Sequence, residues 1–400
     1  MLSLLKRNPE FRRLFLAHAV SRSGDAFNTV ALVVLVFDLT GSGRGVAGVV
    51  MFEVLPVLLI GPVAGLAADR MPRRRLMVGA DVVRALAASS LVLFTDSVPA
   101  VYGVAFLLSG AAMVFNPAAA SLLPDVVGDD DLVTANSALW SVAVIAQIAL
   151  APTAGVVIAA ASVDVAFVVN AGTFVASALL LIGLSAGRTP ASLEARGWSG
   201  ALGGIVAVRS VPLLRRLAIV QVLAALSAGA TSGLLVVLAE RWLGVGPEGF
   251  GVLLAAIGIG AAIGPILLRR FVRPGDRRWL FGPYVARGGV DLILATVPNP
   301  VVAGSALVVY GMSTSTGTVA YQATLQRAVS AETRGRAFAF FDIVWNTSRL
   351  TSLAAGGLLV DSIDVRWVYL CGSGLLVLAA VVGLTADVDT AAPSYGRPKT

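Results

Sequence analysis

Cysteine, histidine and lysine are nearly absent from this chain of 400 residues. It has one cysteine, Cys371, one histidine, His18, and lysine only at Lys6 and Lys399. These counts exclude a disulfide framework and a metal site built from cysteine or histidine. The Gly-x4-Gly-Lys-Ser/Thr nucleotide-binding loop is also missing. A membrane enzyme would need a cluster of metal ligands or nucleophiles, so we expect no enzymatic activity, no metal and no cofactor.

Charged residues are scarce as well. They make up 13% of the chain, whereas hydrophobic residues make up 57%, and the mean hydropathy is +0.86. Soluble domains carry about 25% charged residues, so this composition predicts a membrane protein that crosses the bilayer several times. The net charge of +7 is explained by basic cytoplasmic loops, and we therefore expect no nucleic-acid partner.

The apolar residues form twelve stretches, each close to the roughly 20 residues that span a bilayer. All twelve should be α-helices, because a backbone in lipid must satisfy its own hydrogen bonds. The predicted spans are 14–37, 46–68, 76–94, 100–123, 133–160, 165–184, 217–239, 249–268, 279–297, 301–325, 337–360 and 367–386.

The basic residues predict the orientation of these spans. Of the 30 lysines and arginines, 23 fall in loops and tails on the side of residues 70–75. Only Arg44, Arg241 and Arg366 fall on the opposite side, and four lie inside spans. Cytoplasmic loops carry the excess of positive charge. We therefore expect a multi-pass protein of the cell membrane with both termini in the cytoplasm.

The longest connection between spans, 185–216, divides them into six plus six. We predict an N-terminal six-helix bundle at 1–185, a cytoplasmic linker at 186–216, and a C-terminal six-helix bundle with a short tail at 217–400. A weak internal similarity at an offset of 202 residues relates 115–123 to 317–325. Secondary transporters use such paired halves to build a central site that opens alternately to each side.

The short basic loop between spans 2 and 3 reads Gly65-x3-Asp69-Arg70-x-Pro72-Arg73-Arg74. It resembles the signature loop of the major facilitator superfamily, with Pro72 where that family usually has glycine. The resemblance implies an all-α membrane protein with twelve transmembrane helices in two six-helix halves. It also implies a secondary transporter.

The same loop has the chemistry of a conformational latch. Asp69 can cap the N-terminus of span 3, and Arg70, Arg73 and Arg74 can bond carbonyl groups or acids of the opposite half. Such a latch stabilises one state of the transporter and breaks in the other. A role in topology alone explains the arginines but not the fixed spacing from Gly65 to Asp69.

Span 5 contains a second motif. Residues 151–155 read Ala-Pro-Thr-Ala-Gly, similar to the Gly-Pro-x-x-Gly signature of proton-coupled drug antiporters through Pro152 and Gly155. The arginine that this family carries in span 4 is missing, so the antiporter resemblance is incomplete. Together with residues 23–25 and 132–139, the motifs look most like the macrolide-efflux and siderophore-exporter branch.

Nine ionisable residues other than histidine lie inside the spans, where each costs roughly 2.5–3.5 kcal/mol unless it is paired or hydrated. Eight of them form same-face pairs along single helices. We expect the pairs in spans 3 and 9 to be structural, while those in spans 1 and 11 are equally open to a role in proton coupling. The pairs are Arg22–Asp25, Asp81–Arg84, Arg287–Asp291 and Asp342–Arg349.

Glu53 is the ninth residue and has no partner within its own helix. It lies about 10 Å from the outer end of span 2, close to Pro56, which bends the helix. An isolated carboxyl group in lipid can take up and release a proton, so Glu53 is our main candidate for the proton carrier. Alternatively, it bonds to another helix or faces water at the outer mouth.

The leading hypothesis is a monomeric, proton-driven multidrug-type exporter of an amphipathic small molecule such as a drug, a macrolide or a siderophore. The alternatives are a nutrient uptake symporter or facilitator, or a non-transporting receptor on the same fold. Aromatic and amide side chains are the candidates for substrate contact, although such groups also pack helices together. They are Asn28, Gln147, Tyr321, Gln322, Phe341, Trp345 and Asn346.

Overall fold

The computed structural model describes residues 2–61, 64, 71–128, 131–184, 208, 211–271, 277–329 and 331–385. Within these ranges the chain is helical apart from short connections. The helices are α1 (Leu2–Arg7), α2 (Pro9–Thr40), α3 (Gly43–Leu59), α4 (Arg73–Leu91), α5 (Val98–Val127), α6 (Leu132–Ala160), α7 (Val163–Ile182), α8 (Pro212–Gly233), α9 (Leu235–Arg241), α10 (Pro247–Phe271), α11 (Arg277–Thr296), α12 (Pro300–Ala328), α13 (Ala331–Val360) and α14 (Val365–Leu384).

Twelve of these described helices are long, and each overlaps one of the twelve predicted spans. The short helices α1 and α9 are additions, and α9 continues the direction of α8 after a break at Leu234. By length and composition alone, seven helices are apolar enough to cross a membrane. Helices α4, α11 and α13 are not among these seven. Each carries an aspartate and an arginine within its length.

Local sequence explains how α2 begins and ends. Asn8 accepts a hydrogen bond from the backbone N–H of Phe11 at 2.9 Å, and Pro9 occupies the first helical position. Both residues are typical of helix starts. The helix ends at Gly41, which has a φ of 56°, a left-handed conformation that glycine adopts without a Cβ penalty. The turn that follows leads directly into Ser42, the N-cap of α3.

Helices α2–α7 form one group and α8–α14 form a second group. Two helix pairs make most of the contacts between the groups: α3 with α13, and α6 with α10. The largest apolar core contains residues of both groups, including Val34, Val237 and Leu353. We name the membrane end where this shared core lies the Asp361 end, after the residue that follows α13.

The apolar cores separate towards the opposite end, which we name the Arg73 end after the first residue of α4. One core there belongs to the first group and includes Phe11 and Leu122. The other belongs to the second group and includes Leu217 and Phe341. Among the described residues, the two groups thus share an apolar core at one end and have separate cores at the other.

Candidate transport site

A carboxylate of the second group caps a helix of the first group at the Asp361 end. Asp361 accepts hydrogen bonds from the backbone N–H groups of Gly43 and Arg44, each at 2.9 Å, and from the Ser42 hydroxyl at 2.5 Å. It also accepts a bond from the Arg241 guanidinium at 3.1 Å. The positive N-terminal end of α3 therefore faces a negative charge from the other group.

These contacts fix the charge of Asp361. Burial acts to raise the pKa of this carboxyl, but the bonds from Ser42, Arg44, Gly43 and Arg241 outweigh it and hold the pKa below its ordinary value. Asp361 is therefore ionised at neutral pH. Arg241 also donates to the carbonyl oxygen of Gly41 at 2.5 Å. The bonds from Ser42, Gly43 and Arg44 to Asp361 and from Arg241 to Gly41 thus connect described residues of the two groups at this end.

A second contact between the two groups at the Asp361 end is the close packing of α6 against α10. It involves the motif of residues 151–155. A Cβ added to Gly155 would lie 2.3 Å from the carbonyl oxygen of Pro247, and one added to Gly251 would lie 2.5 Å from that of Ala151. Only glycine permits this backbone-to-backbone contact between α6 and α10. The antiporter-like motif thus lies at an interface between the two groups, with Pro152 beside Gly251.

A network of charges in the first group surrounds Arg84 on α4. This arginine donates to Asp25 on α2, to Asp81 at 3.3 Å and to the Ser21 hydroxyl at 3.0 Å. Arg22 lies 3.5 Å from Asp25, which confirms that predicted pair. We name Ser21, Arg22, Asp25, Asp81 and Arg84 the Arg84 cluster. Arg84 bonds to two aspartates that belong to different helices, Asp25 and Asp81. The predicted pairs lay within single helices and did not include the bond from Arg84 to Asp25.

The corresponding charges of the second group are arranged differently from the prediction. Arg287 and Asp291 of α11 do not form an ion pair within 4 Å. Instead, Arg287 donates to the Tyr310 hydroxyl at 3.2 Å, and Asp291 accepts from the Ser227 hydroxyl at 3.3 Å. Arg287 and Asp291 are 5% and 1% exposed, respectively, so both are held away from solvent. We name Ser227, Arg287, Asp291 and Tyr310 the Asp291 cluster.

Glu53 has a charged neighbour in the opposite group. Its carboxylate and the Arg349 guanidinium of α13 attract each other electrostatically, although they are not within ion-pair distance. The predicted partner of Arg349 was Asp342, seven residues earlier in α13. That pairing is wrong, because seven residues rise about 10 Å along a helix and Asp342 is exposed, beside Tyr321.

Of the predicted latch residues, the structure describes Arg73 and Arg74. Arg73 donates to the carbonyl oxygen of Ser121 and to the Asp125 carboxylate, both at 2.6 Å, and Arg74 donates to the carbonyl oxygen of Leu184 at 2.7 Å. These partners are a carbonyl end and an acid, as expected, but they belong to the same group of helices and not to the opposite one. Gly65, Asp69 and Arg70 lie outside the described residues.

The candidates for substrate contact fall into two environments. Phe341 is 2% exposed and packs edge-on against Tyr321 at 5.8 Å between ring centroids, so it belongs to the core of the second group. Asn28 is also buried, whereas Gln322 is exposed. Trp345 and Asn346 are half-buried on α13 near Arg349. The side chain of Gln147 lies outside the described part of the structure.

Two groups of long helices, joined at one membrane end and separate at the other around charged side chains, define the class of secondary membrane transporters. The chain belongs to the family of transmembrane secretion effectors (MFS_3), whose family model matches residues 4–394. Its relatives are transporters of the major facilitator superfamily, which confirms the resemblance drawn from the loop between spans 2 and 3.

Three relatives illustrate the branch. An uncharacterized MFS-type transporter, YfiS of Bacillus subtilis, is 25% identical over 95% of this chain and 94% of its own. A putative bacilysin exporter, BacE of Bacillus subtilis, is 22% identical over 94% of this chain and 95% of its own. Macrolide efflux protein A of Streptococcus pyogenes is 28% identical over 31% of each chain.

Solved structures share the fold. A mutant of the nucleoside transporter NupG superposes with a TM-score of 0.79 at 15% identity, covering 94% of this chain and 99% of that one. A bacterial homologue of the iron transporter ferroportin in its inward-facing state gives 0.77 at 16% identity, covering 94% and 98%. The fold is therefore that of the major facilitator transporters.

Proposed function

We propose that this chain is a proton-coupled exporter of an amphipathic small molecule in the cell membrane. The exporters among its relatives, BacE and macrolide efflux protein A, support the direction. The observation that carries the coupling is the placement of Glu53 opposite Arg349, on the two helices α3 and α13 that join the groups. A carboxyl group at such an interface can link its protonation to the separation of the two halves.

The coupling follows from electrostatics. When the Asp361 end is closed, the positive charge of Arg349 attracts the carboxylate of Glu53, and this attraction contributes to closure. Protonation of Glu53 removes the attraction and so weakens the contact between α3 and α13. Protonation and closure therefore oppose each other, which allows a proton gradient to drive the conformational cycle.

Asp25 has a different role in this proposal. Arg22 and Arg84 both contact its carboxylate, so Asp25 is shared between two arginines. Asp25 also repels Glu53 electrostatically. We therefore assign Asp25 to sensing the charge of Glu53 rather than to carrying the proton. Asp25→Asn is expected to damage binding and transport together, because Arg22 and Arg84 then lose the negative charge that they share.

The state of the molecule fits export from the cytoplasm. The closed end carries Arg44, Arg241 and Arg366, which the predicted topology assigns to the outside. The structure is then inward-facing, ready to load from the cytoplasm. In support, the ferroportin homologue matches with a TM-score of 0.77 in its inward-facing state and 0.65 in its outward-facing state.

Transport in inverted membrane vesicles tests the function. We expect uptake of at least one compound from a panel of lipophilic antibiotics and siderophores, and an uncoupler should abolish it. Glu53→Gln should lose accumulation against a gradient but keep downhill exchange. Asp96→Asn, which removes a carboxylate from the loop between α4 and α5, is the matched control and should behave as wild type.

Other outcomes would change the proposal. Accumulation in right-side-out vesicles instead would indicate an uptake symporter, and binding without any flux would indicate a receptor. If Glu53→Gln still accumulates substrate in an uncoupler-sensitive way, the proton carrier is another residue, and Asp342 becomes the next candidate. A reporter fused after Thr400 should be cytoplasmic, and a label at Arg44 should react from outside.

A further inference from the structure

The second group of helices encloses a cavity beside the Asp291 cluster. Its volume is about 210 Å³, enough for several water molecules. Half of the lining residues are leucine or isoleucine, from α9 to α12. The polar lining consists of Asp291 and the hydroxyl-bearing residues Thr231, Ser232, Tyr310 and Tyr369.

Asp291 is the acidic residue that lines this cavity, and one of its carboxylate oxygens lacks a hydrogen-bond partner among the described residues. Its side chain is 1% exposed, and Oδ2 accepts a hydrogen bond from Ser227. Oδ1 is buried and has no hydrogen-bond partner among the described residues. Leaving a buried carboxylate oxygen unbonded costs free energy, so a group inside the cavity is expected to satisfy it.

The charges around Asp291 select the kind of group. On its own helix lie Arg287, which attracts it, and Tyr284. Helix α12 contributes Tyr310 and α14 contributes Tyr369, whereas α8 contributes the hydroxyl of Ser227. A metal ion at Oδ1 would be repelled by Arg287, and an anion would be repelled by Asp291 itself. A water molecule carries no net charge and meets neither objection. A proton bonded to Oδ1 makes the carboxyl neutral and needs none of the further oxygen ligands that a metal ion requires.

We propose that Asp291 is a second proton-binding site, supplied by water in this cavity. A hydronium ion transfers its proton to Oδ1, an O–H bond forms there, and a water molecule is left. The carboxylate becomes neutral, while Arg287 keeps its bond to the Tyr310 hydroxyl. The site lies wholly within the second group, so it can be loaded whether the two groups are joined or apart, and it does not depend on the proposed role of Glu53.

Infrared difference spectroscopy of the full chain in lipid tests this directly. Spectra at acidic and alkaline pH should contain a protonated-carboxyl band in wild type, and Asp291→Asn should remove one component of it. Asp81→Asn is the matched control, since Asp81 is equally buried but contacts Arg84. It should leave that component unchanged, and so should Glu53→Gln. The measurement needs no substrate and no transport.

The proposal fails if the spectrum of Asp291→Asn equals that of wild type, or if sodium ions at constant pH suppress the component and thereby show cation binding. Asp291→Glu covers the case in which the asparagine variant does not fold. It keeps the carboxyl group and should shift the frequency of the same component. An unshifted band in that variant would also overturn the assignment.

Discussion

The two ends of this molecule differ in how their helices are held. At the Asp361 end, hydrogen bonds, an ionised carboxylate and close glycine contacts connect the two groups of helices. At the Arg73 end, the described bonds of Arg73 and Arg74 lie within the first group, and the described residues of each group form their own core. The contacts that stabilise one arrangement of the two groups therefore lie at the Asp361 end. The contacts that stabilise the fold of each separate group lie at the Arg73 end.

Spin labels on the two groups measure this difference. Leu39 near the end of α2 and Trp367 near the start of α14 are both exposed. Labelled cysteines at these positions, in a Cys371→Ser background, report the separation of the groups at the Asp361 end by pulsed electron paramagnetic resonance. The predictions below use this pair of labels.

Removing the charge of Asp361 should have the largest effect on the joined end. Asp361→Asn loses the ionic part of four bonds, including that from Arg241, and charged hydrogen bonds contribute about 1.5–3 kcal/mol. We expect the population with a longer label distance to rise roughly 10- to 100-fold. An unchanged distance distribution would show that this cluster does not hold the two groups together.

The lowered pKa of Asp361 fixes the sign of its pH dependence. Its contribution to closure is complete above the ordinary pKa of aspartate and is lost only as the pH falls through the lowered value. Between about pH 5 and pH 8, Asp361 should therefore add no pH dependence. Any change of label distance in wild type across that range must come from another group, and it should disappear in Glu53→Gln.

Widening the helix contact at Gly155 should have a smaller effect. Gly155→Ala places a methyl group against the Pro247 carbonyl, and overpacking of this kind costs about 1–3 kcal/mol. Opening of the Asp361 end should increase by up to about 100-fold. The control is Gly172→Ala on α7, where an added Cβ meets nothing within 4 Å, and its label distances should equal those of wild type.

The smallest effect is expected from the other end. Arg73→Ala removes bonds to Ser121 and Asp125 within one group, so it should lower thermal stability by only about 1–2 kcal/mol. The label distance at the Asp361 end should not change. A shift of the distance distribution would mean that the Arg73 end also controls the state of the transporter, as the latch hypothesis holds.

Hydrophobicity predicted the helices well, because span length is a local property of the sequence. The pair Arg22–Asp25 was also predictable, since three residues separate neighbours on one helix face. The partner of Glu53 was not, because Arg349 comes from a helix almost 300 positions later. The pairs were predicted from spacing along single helices, and such spacing carries no information on which residues of the two groups lie close together.

The hydrogen bonds to Asp361 were missed for a similar reason. Its acceptor lies in the turn between α13 and α14, and its donors lie at the start of α3 and the end of α9. Ser42 before an apolar run was a readable helix-cap signal. Nothing local indicated that an aspartate from the other group would share that cap. Pro152 and Gly155 were recognisable as part of a motif, but the helix that they contact, α10, was not predictable from it.

In the proposed function, protonation of Glu53 opposes closure of the Asp361 end. The most direct measurement is the distance between labels at Leu39 and Trp367 in wild type and in Glu53→Gln at neutral pH. The variant mimics the protonated carboxyl and loses an attraction to Arg349 of roughly 1–2 kcal/mol. We predict a larger open population in Glu53→Gln, by about 5- to 30-fold, with no dependence on pH. Identical distributions in the two proteins would contradict the coupling.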